Sequence, residues 1–191
     1  MNPLSSLRYL LVFAFLMPCL ASAEYVLYKS NSGVLIISNR PGAYFSFDIP
    51  GSTITPADLD KSPYPRMFSD AFYLEIVPIT LTEPLPETET EEIALLTRRF
   101  DAAKAARSGP PSEIHIKEIR LQSNRSALTW SFIPFGATKR FYCLAFRSEG
   151  IVFLLKSGFA KAQTKDDPAE FLLAIANSFR RSSTPLEPPK K

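Results

Sequence analysis

The side chains that could carry chemistry in this chain are few, and their neighbours in sequence give them little help. The single histidine, His115, lies in Ile114-His115-Ile116. A Ser/His/Asp triad would depend on this one residue, and no strand-to-helix serine turn is present to supply the nucleophile. His115 is therefore read as a surface histidine on a strand. Of the two cysteines, Cys143 sits in Phe141-Tyr142-Cys143-Leu144-Ala145-Phe146, a strand with two apolar faces, where a thiol is buried and inert. One histidine and one such cysteine cannot build a zinc site without several carboxylates. Asp58-Leu59-Asp60 carries acids at a spacing that calcium uses, but the later glycine and bidentate glutamate of an EF-hand loop are missing. The chain also has no glycine-rich loop of the Walker or dinucleotide-binding kind. No catalytic residue, metal ligand or cofactor is assigned.

What remains is polar content suited to contact. Residues 51 to 70 form a long irregular stretch holding Pro56, Pro63 and Pro65, and connections of that length in a domain are often functional. Asp58, Asp60, Lys61, Tyr64 and Arg66 make this stretch the candidate interaction loop. Arg98-Arg99 is read as a solvated helix face, and Trp130, alternating with Leu128 and Phe132, as core. Asn124-Arg125-Ser126 is a formal glycosylation sequon in a turn, with meaning only in a eukaryotic host.

Composition narrows the class further. A chain of 191 residues, 46% hydrophobic and 21% charged, can bury the core of one globular domain. Its net charge of +3 lacks the dense basic patches of a nucleic-acid binder. Residues 1–23 read as a secretory signal: Arg8 closes a polar start, Tyr9 to Met17 is apolar, and Ala21-Ser22-Ala23 is a small-x-small cleavage site leaving Glu24 first. The apolar run is far short of the ~20 residues that span a bilayer. Pro18 before Cys19 fits lipoprotein cleavage poorly, so lipidation is not assigned. Cleavage would remove Cys19 and leave Cys143 with no intramolecular disulfide partner.

The elements that must position any site follow from pattern. Residues 24–42 read as an N-terminal β-hairpin, with Gly33 supplying a positive φ in its turn, or as edge strands of the main sheet. Tyr44 to Pro50 alternates as a strand, and Ala71 to Thr82 is apolar on both faces, as in the middle of a covered sheet. Thr88-Glu89-Thr90-Glu91 is a capping box opening a helix to about Arg107, with Ile93, Leu96, Phe100 and Ala103 as its stripe. Four segments follow: Glu113 to Ser123, Ala127 to Pro134, Lys139 to Arg147 and Ile151 to Lys156. Their short turns require an antiparallel meander. Asp167-Pro168-Ala169-Glu170 then starts a helix with the stripe Phe171, Leu172, Ile175 and Phe179, and places Arg180 and Arg181 at its negative end. Residues 182–191, with three prolines, read as a disordered tail. The fold class is α+β, an antiparallel sheet with helices packed on it, in one domain over residues 43–181.

Two resemblances bear on function. Tyr25, Tyr28-Lys29, Gly33 and Ile37-Ser38-Asn39-Arg40-Pro41 resemble a short hairpin module at the mature N-terminus of proteobacterial envelope proteins. Phe45-Ser46-Phe47-Asp48-Ile49-Pro50, the middle helix, Phe141-Tyr142, Ile151-Val152-Phe153-Leu154-Leu155 and the closing Ala176-Asn177-Ser178-Phe179 resemble the PsbP-like superfamily. The second resemblance spans residues 43 to 181. It implies an α/β/α sandwich, shared by a photosystem extrinsic protein, a Ran-binding import factor and DcrB-like envelope proteins. It also implies binding or scaffolding of other proteins, with no catalytic residue to transfer. The expectation is a non-catalytic, exported (periplasmic or secreted) accessory module with an envelope protein as partner. The alternatives are a carrier of a small apolar or lipid ligand and a hydrolase with an unrecognised carboxylate or serine site.

Overall fold

The computed structural model describes residues 25–29, 33–51, 55–56, 64–68, 72–105, 116–133, 140–159 and 167–187. Asp58, Asp60, Lys61 and His115 lie outside them, as do the end of the middle helix beyond Ala105 and the start of the first meander segment. The chain forms β1 (Tyr25–Lys29), β2 (Gly33–Arg40), β3 (Ala43–Pro50), β4 (Thr55–Pro56), β5 (Arg66–Phe68) and β6 (Phe72–Thr80). After helix α1 (Glu89–Ala105) come β7 (Lys117–Arg120), β8 (Ser126–Phe132), β9 (Phe141–Ser148) and β10 (Ile151–Phe159). Helix α2 (Pro168–Ser178) and β11 (Arg180–Arg181) close it.

Two antiparallel sheets result. The larger runs β4-β5-β6-β10-β9-β8-β7, so the expected meander is present and β6 lies inside the sheet beside β10. The smaller runs β1-β2-β3-β11. Its Phe45, Phe47 and Ile49 meet Leu144, Phe146, Phe153 and Leu155 of the larger sheet, and Leu172 and Ile175 of α2 join the same core. The other face of the larger sheet is covered by α1, through Leu95, Leu96 and Phe100 against Leu128, Ala145 and Val152. Alternation of side chains along each strand makes this division: Phe153 and Leu155 point to the first core, Val152 to the second. The layers are thus α1, the seven-stranded sheet, and a third layer shared between α2 and the small sheet.

The position expected as a boundary, between residues 42 and 43, bears on the third layer. That position lies inside the turn from β2 to β3, which pair along their whole length from Gly33–Pro50 to Arg40–Ala43. Hairpin and domain share one sheet and one core. Gly33 also has another role than the expected one. It begins β2, and a Cβ built on it would lie 2.1 Å from the Ile49 carbonyl oxygen, so a close backbone approach demands glycine. The positive φ belongs to Gly42 instead, at 77° after Pro41. Gly33→Ala should lower stability by about 1 to 3 kcal/mol by forcing β2 from β3. Gly150→Ala, where a Cβ meets nothing within 4 Å, should stay within about 1 kcal/mol of wild type in the same denaturant titration.

Local signals set both helix starts. Thr88 Oγ1 accepts from the Glu91 amide at 3.3 Å while the Glu91 carboxylate accepts from the Thr88 and Glu87 amides, which holds that carboxyl below the usual range. The Asp167 side chain accepts from the Ala169 amide at 2.8 Å, ahead of Pro168. The end of α2 departs from expectation. The helix stops at Ser178, and Phe179 turns into extended backbone (φ −55°, ψ 128°). Arg180 and Arg181 then pair with Ser46 and Phe45 as a strand, so they do not sit on the helix dipole. Ser178 Oγ covers the next part of the β3 edge, accepting from the Asp48 amide at 2.9 Å. Of the segment expected as a disordered tail, residues 182–187 are described. Ser182 donates to the Tyr44 carbonyl, and Leu186 and Asn39 exchange two hydrogen bonds.

Candidate functional site

One end of the molecule gathers the turns β2–β3, β7–β8 and β9–β10, the start of α1 and the exit from α2. Between the two sheets this end opens into a cleft of about 410 Å³. The apolar parts of Phe45, Ile151 and Pro78 line it together with Ser38, Arg40 and Arg181. Among the described residues its lining holds Arg40 and Arg181 and no acid, histidine or cysteine, and Arg181 carries Glu149 as its ion-pair partner outside that lining. Arginines in such a wall favour anions.

Beside the cleft, three guanidinium groups from distant parts of the chain come together. Arg181 is fixed by the Ser148 and Gly42 carbonyls at 3.3 and 3.2 Å and by the Glu149 carboxylate at 2.7 Å. Arg147 bonds Glu92 of α1 at 2.9 Å and the Glu149 carbonyl at 2.9 Å. Both side chains of the Arg147–Glu92 pair are largely buried, and Arg147 Nε and Glu92 Oε1 have no hydrogen-bond partner among the described residues. Arg125, half-buried in the β7–β8 turn, lies over the rings of Phe146 and Phe179 at 5.5 and 5.1 Å. Burial lowers its pKa; Glu92 opposes the shift, and Arg147 and Arg181 add to it. The turn itself is set by Asn124 at φ 58°, with Leu121 and Arg125 paired through their main chains. Nearby, Arg120 and Ser126 both donate to Glu89, whose carboxyl is held below its usual range by them.

A second charged group lies on the α1 side of the sheet, away from the cleft. Glu75 of β6, 7% exposed, meets Arg66 at 2.9 Å and Lys156 at 3.6 Å. Lys156 also stands over the Phe141 ring at 4.7 Å. Burial and the Glu75 charge push the Tyr73 phenol up to about 12. This network ties β5, β6 and β10 together and neutralises a carboxylate the sheet encloses.

Of the sequence-predicted contact residues, Arg66 is therefore part of the sheet's ion pairing rather than of a loop, and Tyr64 is half-buried beside it. Cys143 is 2% exposed in β9, buried as its apolar neighbours indicate. Trp130 packs on Phe100 of α1 with ring centres 4.7 Å apart. Arg98 is exposed, while Arg99 approaches Glu83 at 3.9 Å. Sequence reasoning missed the arginine cluster. Its members stand in a turn, at a strand end and after a helix, and no spacing links them. The usable signal was positional: Arg125, Arg147 and Arg181 each adjoin a chain reversal or an element end.

Among the described residues, no helix is long and apolar enough to cross a membrane, and no group of three or more His, Cys, Asp or Glu is placed to hold a metal. No protein-family model matches the chain, and no curated protein matches it. Among solved structures it is similar to the solution structure of cyanobacterial PsbP (CyanoP) from Synechocystis sp. PCC 6803. That match has 12% identity over 86% of this chain and 96% of that one, with a TM-score of 0.44. It is also similar to a crystal structure from Bacteroides thetaiotaomicron VPI-5482, at 12% identity over 79% of this chain, with a TM-score of 0.42. This chain spans 49% of the Bacteroides chain, about half its length.

Proposed function

We propose that this chain is an exported, non-catalytic accessory module of PsbP-like type that binds an acidic segment of an envelope protein in the cleft between its two sheets. The observation that carries the reading is the lining of that cleft: arginines and apolar surface, with no acid among the described residues. An extended segment bearing a carboxylate and an apolar neighbour complements both. Arg181 reaches the cleft already bonded to Gly42 and Ser148, so the wall is pre-formed and little ordering is needed on binding. The polar stretch with Asp58, Asp60, Lys61, Tyr64 and Arg66 is proposed as a second contact with the same partner. A purely apolar or lipid cargo fits the arginines less well.

The test places a photo-crosslinking residue at Thr80 of the cleft and, as control, at Arg98 on the exposed face of α1, in cells producing the full chain. A partner captured from position 80 only, and lost on Arg40→Glu, is the expected result. Equal capture from both positions, or capture that survives Arg40→Glu, overturns the cleft as the contact. Intact mass of the same protein should correspond to a chain beginning at Glu24; retention of residues 1–23 or a lipid on Cys19 would overturn the export assignment.

A further inference from the structure

We propose that the Arg125 guanidinium holds an oxyanion, a carboxylate or a phosphate, at a site formed where the β7–β8 turn meets the exit of α2. This goes beyond the cleft and does not depend on a protein partner. Arg125, Arg147 and Arg181 face Glu92 and Glu149 at this end, and neither carboxylate is hydrogen-bonded to Arg125. Glu92 is bonded to Arg147, and Glu149 to Arg181. Arg125 donates to no acceptor among the described residues, although its planar group carries five N–H donors. Its position is nonetheless supported by the rings of Phe146 and Phe179, and the residue is partly buried. Holding a partly desolvated cation near two others of like charge is unfavourable, and an oxyanion would relieve it. A guanidinium fork presented on an aromatic floor also suits bidentate bonding to carboxylate or phosphate.

The experiment uses the mature protein and follows arginine Nε–H signals by NMR during titration with inorganic phosphate and, separately, acetate, with chloride holding ionic strength constant. Arg125 should shift saturably while Arg98 on the exposed face of α1 does not. Arg125→Met, which keeps an apolar stem on the two rings, should abolish the saturable stabilisation that phosphate gives in thermal unfolding. Arg125→Lys keeps the charge but loses the fork, so it should bind at least about tenfold more weakly. A stronger response to phosphate identifies a phosphate-bearing ligand, and an equal response to acetate a carboxylate. Shifts that grow without saturation, that appear equally at Arg98, or that leave affinity unchanged in Arg125→Lys overturn the proposal. The lysine variant decides the matter even if Arg125→Met does not fold.

Discussion

Phe179→Ala is expected to lower stability by about 3 kcal/mol, close to 10 °C in melting temperature for a domain of this size. Phe179 stands just past the end of α2, where its ring meets Phe153 at 4.8 Å, Phe47 and Phe146 at 5.1 Å, and Phe45 at 6.3 Å. Those four rings come from both sheets, so the side chain joins the small sheet to the large one as well as fastening α2. Phe45, Phe47, Phe146 and Phe153 are each at most 1% exposed, and neighbours so enclosed cannot move in to fill the space left by a deleted ring. The change also strips one of the two aromatic supports from Arg125. Leu85→Ala, at a side chain on a residue 51% exposed, should stay within about 0.5 kcal/mol of wild type. Thermal denaturation of the two variants beside wild type checks both numbers. Equal melting temperatures for wild type and Phe179→Ala would show that the aromatic cluster does not join the layers.

Glu92→Ala should cost about 3 kcal/mol, whereas Glu89→Ala, three residues earlier on the same helix, should cost clearly less. The difference lies in burial. The side chains of Glu92 and Arg147 are 14% and 16% exposed, and those of Glu89 and Arg120 47% and 49%. Without Glu92, Arg147 would keep its charge in a place where water reaches it poorly and the Arg125 charge repels it. Replacing both members of the pair, Glu92→Leu with Arg147→Met, should recover most of the loss, because neither charge then needs solvating. Urea titrations of Glu92→Leu, Arg147→Met and the double variant complete the cycle, with Glu92→Ala and Glu89→Ala measured beside them. Equal costs for Glu92→Ala and Glu89→Ala would mean that the pair at the start of α1 is solvated like any surface ion pair.

The local elements of this protein were legible because their causes are local. Thr88 with Glu91, and Asp167 with Pro168, open their helices through bonds made within three residues. The short reversals at Asn124 and Glu149 force β7 to β10 into an antiparallel meander whatever the rest of the chain does. The double-sided apolar pattern of β6 announced a strand covered on two faces, and the structure covers it. Choice of partner was not legible. In Val34-Leu35-Ile36-Ile37 both faces of β2 are apolar, so the pattern specified a strand without saying which sheet it joins. Tertiary packing decided this, by seating Phe45 and Phe47 on Phe153 and Phe179 and leaving β1, β2, β3 and β11 as a separate small sheet. It also took Arg180 and Arg181 out of the helix, because the exposed edge of β3 could satisfy their backbone groups. The arginine end is the clearest case. Arg125, Arg147 and Arg181 have no common period, and they meet only because antiparallel strands return their turns to the same end of the sheet, where low solvent access makes their charges act on one another.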